Sequence, residues 1–322
     1  MTKQTFKVAD NAANLLLADF LSAQLRLTRT AVERLVRGNQ VRVAGSVCSE
    51  PRELLRPGEH IVVQFGPVGH APGAKASGEF GPKPVLIHVD AHLVVANKPP
   101  GLTTMRHARE AKEFGARGKH YLPPTLQDLL PDILAKDTHK PSVRAVHRID
   151  NETSGLVVFA LTPQAESNLG RQFRAHSTDR LYRALVRGRP KEGRIESWLV
   201  RDRGDGRRGS GSQEEGQRAV THVRVVEALG DFSLVECRLE TGRTHQVRLH
   251  LGEEGFPLCG ERVYDRPPHG KPLPDASGAK RVMLHAATLG FDHPATGERV
   301  RWEAPLPKDM NDLLKRLRRS AS

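Results

Sequence analysis

Cysteine is scarce in this 322-residue chain: Cys48, Cys237 and Cys259 lie far apart and form no Cys-x-x-Cys pair. That pattern argues against a disulfide scaffold and predicts free, mostly structural thiols in a reducing cytosol. Long apolar runs are also missing. The hydrophobic stretches are short and interrupted, so neither a bilayer span nor a signal peptide is expected, and the expected location is cytoplasmic. Histidine is plentiful, yet His245 and His250 are spaced too widely to share a helix face in the i, i+4 manner of zinc ligands, and no metal is expected. Gly209-Ser210-Gly211-Ser212 lacks the lysine and following helix of a phosphate-binding loop, which removes the reason to expect a nucleotide. No cofactor is expected. Acidic residues are outnumbered, 37 against 50 Lys plus Arg, for a formal net charge of +13. That balance favours a polyanionic partner, with RNA, DNA and an acidic membrane surface all open.

The first 65 residues carry their own pattern. Leu17, Phe20, Leu21 and Leu25 form a helical apolar stripe. A second helix is signalled by Thr28 or Thr30, with Thr30-x-x-Glu33 as a capping box and Gly38 as its end. Ala31, Val32, Leu35 and Val36 share one side of it, and Arg29, Arg34 and Arg37 fall on the other, which reads as nearly free of acid. Val41 to Val47 reads as a hairpin, and Ile61-Val62-Val63 as a last strand. Residues 66–84 are rich in Gly, Pro and Ala and read as a linker. A larger domain is expected over 85–307, followed at 308–322 by a basic tail in which Leu313 to Arg319 read as a short basic helix or tail. Within it, residues 106–121 form a basic excursion and 201–218 a Gly/Arg/Ser-rich tip expected to be disordered between strands.

The centre of the large domain is Arg144 to Leu161. Two β-compatible apolar runs, Ala145-Val146 and Leu156 to Leu161, flank the polar knot His147-Arg148-Ile149-Asp150-Asn151-Glu152-Thr153-Ser154-Gly155. This is strand, loop, strand, with the loop able to present side chains from a rigid frame. Taken alone, the knot could equally be a polar connection in which Asp150 and Arg148 pair.

His147-Arg148-Ile149-Asp150 followed by Thr153-Ser154-Gly155 resembles the His-Arg-Leu-Asp…Thr-Ser-Gly signature of the RluA-type pseudouridine synthases, with Ile149 a volume-conserving change. Further segments follow in the family's order. Asn97-Lys98-Pro99-Pro100-Gly101-Leu102 is similar to its Asn-Lys-Pro-x-Gly-Leu turn, and Tyr182 to Gly188 to its Tyr-x-Ala-x-Val-x-Gly strand. Thr241-Gly242-Arg243-Thr244-His245-Gln246-Val247-Arg248-Leu249-His250 matches a third motif. The continuation through Gly260 has Glu261 where an aspartate usually stands. The first 65 residues resemble the small RNA-binding domain named after ribosomal small-subunit protein S-four, although the usual Arg-Leu-Asp-x-Phe-Leu opening is absent.

The resemblance implies an α+β fold: a catalytic domain with a mixed, mostly antiparallel sheet, preceded by a small N-terminal α/β RNA-binding domain. It implies an RNA uridine isomerase in which Asp150 is the reacting carboxylate and Arg248 its cationic partner. By the same resemblance Tyr182 stacks on the uracil, and Arg148 occupies the space that the flipped base vacates. Ion pairing with Glu152 is the plainer alternative for Arg148, and a solvated face the plainer one for Arg29, Arg34 and Arg37, which are otherwise RNA-binding candidates. The expected partner is RNA, with ribosomal RNA favoured over transfer RNA, and a monomer is expected. An rRNA-binding assembly factor on the same fold is the alternative, against which the intact Asp150, Tyr182 and Arg248 set argues. A glycosidase would need a second acid across the bond, for which Glu152 is poorly suited.

Overall fold

The computed structural model describes residues 2–12, 15–65, 83–106, 122–135, 139–204, 206–268 and 270–321. The expected linker at 66–84 and excursion at 106–121 therefore lie, apart from their edges, outside the described residues. By contacts the chain divides into two compact units, Met1–Glu79 with Met105–Leu129, and Phe80–Thr104 with Leu130–Ser322.

The first unit contains β1 (Thr2–Lys7), α1 (Leu17–Leu25), α2 (Arg29–Arg37), β2 (Val41–Val43), β3 (Ser46–Val47) and β4 (His60–Phe65). Its strands form an antiparallel sheet in the order β1-β4-β2-β3. The apolar stripes of both helices meet the sheet in one core, with Leu17, Leu21, Val32, Leu35, Val41 and Ile61 fully buried. Thr28 caps α2, its hydroxyl accepting from the Ala31 N–H at 3.3 Å, so Thr30 lies inside the helix and the expected Thr30–Glu33 box does not form. The expectation of an acid-free basic side is also corrected. Arg29 sits 2.8 Å from Asp19, contributed by α1, and 3.4 Å from Glu33. Strand β1, with its alternating polar sequence, had no turn signal before it and was not foreseen.

The second unit runs through β5 (Val85–Val89), β6 (Leu93–Lys98), β7 (Arg144–Ala145), β8 (Ser154–Ala160), β9 (Asp179–Arg187), β10 (Gly193–Val200), β11 (Gly209–Gly211), β12 (Gln217–Leu229), β13 (Phe232–Leu239), β14 (Leu284–Asp292) and β15 (Arg299–Glu303). Its helices are α4 (Pro163–Arg174), α5 (Gln246–Glu253) and α6 (Lys308–Ala321), while α3 (Leu126–Ile133) begins in the segment assigned to the first unit. The eleven-stranded sheet has the order β11-β10-β12-β13-β9-β14-β8-β6-β5, with β15 on β14 and β7 on β8. Among the described residues every pairing is antiparallel except β8 with β14, so the expected mixed, mostly antiparallel sheet is the observed one.

That parallel seam needs Gly155. Its φ is +114°, and a Cβ there would lie 2.3 Å from the Ala286 carbonyl oxygen. Only glycine tolerates both conditions. Beside it the Ser154 hydroxyl meets Nδ1 of buried His285 at 3.0 Å.

Two segments differ from expectation. Among the described residues of 201–218 the expected disordered tip gives way to order: Gly209–Gly211 pairs with β10 as β11, and Glu253 accepts from both the Ser210 N–H and hydroxyl. Of the two readings of the C-terminal segment the helix is the observed one, and it is packed rather than a free tail: Lys308–Ala321 form α6, whose Met310, Leu313, Leu314 and Leu317 are buried against Leu185, Leu234 and Met283. The basic residues that suggested a tail are only the outer face of an amphipathic helix.

Leu313→Ala should therefore destabilise the second unit by about 2–5 kcal/mol. Both tryptophans, Trp198 and Trp302, lie in this unit, so urea unfolding followed by their fluorescence reads it directly. A loss below about 0.5 kcal/mol, the usual value for a surface substitution, would show that α6 is not part of the core.

Candidate active site

The loop from Val146 to Thr153 enters β8 at the parallel seam, and buried groups hold it from several sides. Lys98, at the end of β6, is fully buried. Its ammonium donates to the carbonyls of Pro99 (2.9 Å), Leu102 (2.7 Å) and Asn151 (3.1 Å). Burial pushes this ammonium down to about 7, with the Asp150 charge opposing and Arg281 adding. Three carbonyls match the three N–H donors of the charged form. The Thr104 hydroxyl donates to the Ile149 carbonyl at 2.8 Å, and the Asn151 amide to the Gly101 carbonyl at 2.9 Å. From the other side Arg281 donates to the Glu152 carbonyl at 3.1 Å while its Nε and Nη2 engage Asp309 of α6.

His147 is an anchor of a different kind. Its Nε2 accepts from the Val158 N–H at 3.0 Å and its ring stacks on Phe173 at 4.3 Å. Burial pushes it down to about 3, with the Arg180 charge adding. It is a neutral acceptor that ties the loop to β8.

These contacts set Asp150 into a cavity of about 420 Å³. Its Oδ2 is 3.5 Å from Arg248 Nη1 and its Oδ1 is 3.7 Å from His245 Nε2. Both distances exceed a hydrogen bond, so the carboxylate faces two cationic or polar neighbours without being clamped by either. Arg248 is committed elsewhere. Its Nε and Nη2 fork Glu261 at 2.6 and 2.9 Å. The Glu261 side chain is 0% exposed, and its Oε1 also accepts from the N–H groups of Arg262, Val263 and Tyr264. Burial opposes charge on both partners, but their mutual bonds outweigh it, raising Arg248 and lowering Glu261. The Tyr264 ring lies under the guanidinium at 5.2 Å, and its hydroxyl meets His245 Nδ1 at 2.7 Å. His245 itself caps α5 in a left-handed conformation, φ 60°.

The structure brings Asp150, Tyr182, Arg248 and Arg148 to one cavity. Tyr182, on β9, is half-buried in its wall. Burial pushes its phenol up to about 12, the Arg180 guanidinium opposing and the Asp150 charge adding. Arg148 is exposed at the rim and, among the described residues, makes no ion pair with Glu152. Arg29, Arg34 and Arg37 belong to the first unit.

Lys98, Arg180, His245, Glu261 and Arg281 were not among the site residues expected from the sequence. Lys98 could have been suspected from its place at the end of an otherwise apolar strand. Arg180 stands two residues before Tyr182 and so faces the same way along the strand. His250, weighed as a metal ligand, is instead buried between the hydroxyls of Thr221 and Ser197 at 2.9 and 3.1 Å. Among the described residues no three His, Cys, Asp or Glu side chains are grouped to hold a metal ion.

The family model for RNA pseudouridylate synthase matches residues 92–253, which span the loop, β9 and α5. The "Ribosomal large subunit pseudouridine synthase D" of Neisseria meningitidis serogroup B is 36% identical over 284 residues, covering 85% of this chain and 71% of that protein. The RNA pseudouridine synthase YlyB of Bacillus subtilis is 36% identical over 304 residues, covering 91% of this chain and 90% of its own. Human RNA Pseudouridylate Synthase Domain Containing 4 superposes with a TM-score of 0.57 at 25% identity, over 73% of this chain and 93% of that one. With the sheet, the loop motif and these matches in agreement, the chain belongs to the RNA pseudouridylate synthase family and is an isomerase that acts on RNA.

Proposed function

We propose that the protein converts uridine in large-subunit ribosomal RNA to pseudouridine, with Asp150 as the carboxylate that acts on the target nucleotide. The observation that carries this reading is the position of Asp150: partly buried in the cavity, 3.5 Å from one nitrogen of an arginine whose other two nitrogens are fixed on Glu261. A carboxylate in a two-bond fork is a structural pair. One held at Coulombic distance keeps its lone pairs available as nucleophile or proton acceptor. The choice of ribosomal RNA is supported by the relatives, several of which are ribosomal large subunit pseudouridine synthases.

The reaction breaks the bond between C1′ and N1, turns the uracil, and joins C5 to C1′. The proton displaced from C5 leaves to balance the one gained at N1, so no redox partner or cofactor is consumed. The base must leave its stack to reach Asp150, at a cost of a few kcal/mol. Tyr182 offers the uracil an aromatic face within the cavity, and Arg148 at the rim is free to enter the vacated stack. The basic α2 face of the first unit adds sequence-independent contact to phosphates. Arg37 is exposed there, whereas Arg29 is already neutralised by Asp19 and Glu33.

Asp150→Asn keeps the shape and removes the charge. It should bind RNA as the wild type does and lose at least about 10³-fold in single-turnover rate, read by release of tritium from 5-tritiated uridine RNA. Near-normal release would sink the assignment. The cellular target is checked by mapping pseudouridine across ribosomal and transfer RNA in cells with and without the gene.

Glu261→Gln should free the Arg248 fork to close on Asp150 and tie up its oxygens. The expected result is a fall of about 10-fold or more in single-turnover rate at saturating RNA, with affinity little changed. Arg248→Lys has one charged head for two carboxylates and should lose both rate and stability, since an unpaired buried carboxylate costs about 3–5 kcal/mol. A fall confined to RNA affinity would make Arg248 a phosphate contact.

In the first unit, Arg37→Gln should lower the slope of log affinity against log salt by about 0.7–0.9. Arg29→Gln should lower it less. Equal slopes for wild type and Arg37→Gln would mean that this face is only solvated.

A further inference from the structure

Four arginines are buried among the described residues: Arg180, Arg187, Arg248 and Arg281. Three have a carboxylate or several carbonyls as partners. Arg187 donates to the carbonyls of Leu258, Leu273 and Glu261. Arg248 forks Glu261 and faces Asp150. Arg281 forks Asp309 and holds several carbonyls of the loop and seam. Arg180 is the exception. Only 7% of it is exposed, yet it makes one hydrogen bond, from Nη2 to the Glu240 carbonyl at 3.1 Å. Its Nε is buried without a partner. No carboxylate among the described residues pairs with it, and its guanidinium lies over the Phe173 ring at 5.8 Å. A buried charge with most of its five donors unused is costly unless an anion completes it.

The surroundings of Arg180 are also cationic. It lines the Asp150 cavity together with Arg243, Arg174 and His176, and Asp150 is the one acidic side chain on the described wall. His176 ends α4 in a left-handed conformation, φ 57°. Burial and the charges of Arg180, Arg243 and Arg218 lower its pKa. Glu240, whose charge opposes that lowering, is occupied: its carboxylate meets His222 at 2.7 Å and Arg194 and Arg218 at 3.7 Å each. Gly242 makes room for the arrangement. A Cβ there would lie 2.3 Å from Arg180 Nη1, so any side chain at 242 would push the guanidinium out of place.

We propose that this end of the cavity, formed by Arg180, Arg243 and His176 beside Phe173, is a subsite for one backbone phosphodiester of the RNA strand adjoining the target nucleotide. The proposal rests on reading the Asp150 cavity as the nucleotide site. A phosphodiester supplies the missing negative charge and several acceptor oxygens, which a guanidinium recognises through parallel N–H donors. Arg180 and Tyr182 lie two residues apart along β9, roughly 6.6 Å. The cation and the aromatic ring therefore address neighbouring parts of the same nucleotide. The phosphate would fix where the sugar sits relative to Asp150, so the subsite sets register along the strand.

The test uses a synthetic RNA hairpin carrying a uridine that the full-length protein converts. A neutral methylphosphonate is placed, one position at a time, at each phosphate flanking that uridine. Affinity and single-turnover rate are measured for wild type, Arg180→Gln and Arg243→Gln, with circular dichroism to confirm the fold. For the wild type, one position should cost about 10-fold in affinity, the worth of one charge-assisted contact. At that position the same change should cost less than about 2-fold in Arg180→Gln. Arg243→Gln, half-buried at the surface and safe for folding, should show an intermediate loss. Equal losses in wild type and both variants, or no sensitive position at all, overturn the subsite. Asp150→Asn run in parallel separates the two readings: it should keep the phosphate coupling and lose conversion. Conversion by Asp150→Asn would remove the catalytic assignment while leaving the coupling result to stand alone.

Discussion

Glu261 takes two nitrogens of Arg248 and three backbone N–H groups while wholly shielded from water. A buried ion pair contributes little net stability, because desolvation cancels most of the attraction. Its value here is geometric. With Nε and Nη2 fixed, the Arg248 plane cannot rotate, and Nη1 is left 3.5 Å from Asp150. Tyr264 under the guanidinium and His245 on the Tyr264 hydroxyl extend the same restraint to the second neighbour of Asp150. The proposed reacting carboxylate thus stands opposite positive charge that cannot collapse onto it.

The same logic governs the loop that carries Asp150. Its carbonyls at 149, 151 and 152 are each held by a buried or half-buried donor, from Thr104, Lys98 and Arg281 in turn. The donors act on the main chain and leave the side chain of Asp150 untouched. Backbone anchoring of this kind orients a reactive group without spending its hydrogen-bonding capacity. Lys98 and Arg281 cost burial of charge, and both recover it through full sets of acceptors. Arg180 does not, and that contrast makes it the part of the cavity which a substrate must complete.

Much of this was legible in the order of residues. The polar knot at 147–155 and the apolar faces of α1 and α2 follow from local chemistry and periodicity, and the structure retains them. What was not legible depends on contacts distant in sequence. Nothing around Lys98 says that its three acceptors arrive from two turns. The basic outer face of α6 hid an apolar inner one whose partners sit on β9, β13 and the segment before β14. Glu261 was noticed only as a departure from an expected aspartate, and its role as the fork's acceptor emerges from the fold. The Gly/Arg-rich composition of 201–218 suggested disorder, but Glu253 supplies the acceptors that order Ser210.

The parallel seam between β8 and β14 has a kinetic meaning. Ser154 and His285, which meet across it, are 131 residues apart in sequence, and Arg281 reaches the Glu152 carbonyl over 129. Contacts that close loops of this length form slowly, because chain entropy must be lost before any pairing repays it. The flanking antiparallel hairpins, such as β12 with β13, can assemble locally and early. The Asp150 loop cannot be set until the seam closes over Gly155. During refolding, native-like sheet signal should therefore precede the appearance of enzymatic competence, with the glycine contact at Ala286 marking the step that converts one into the other.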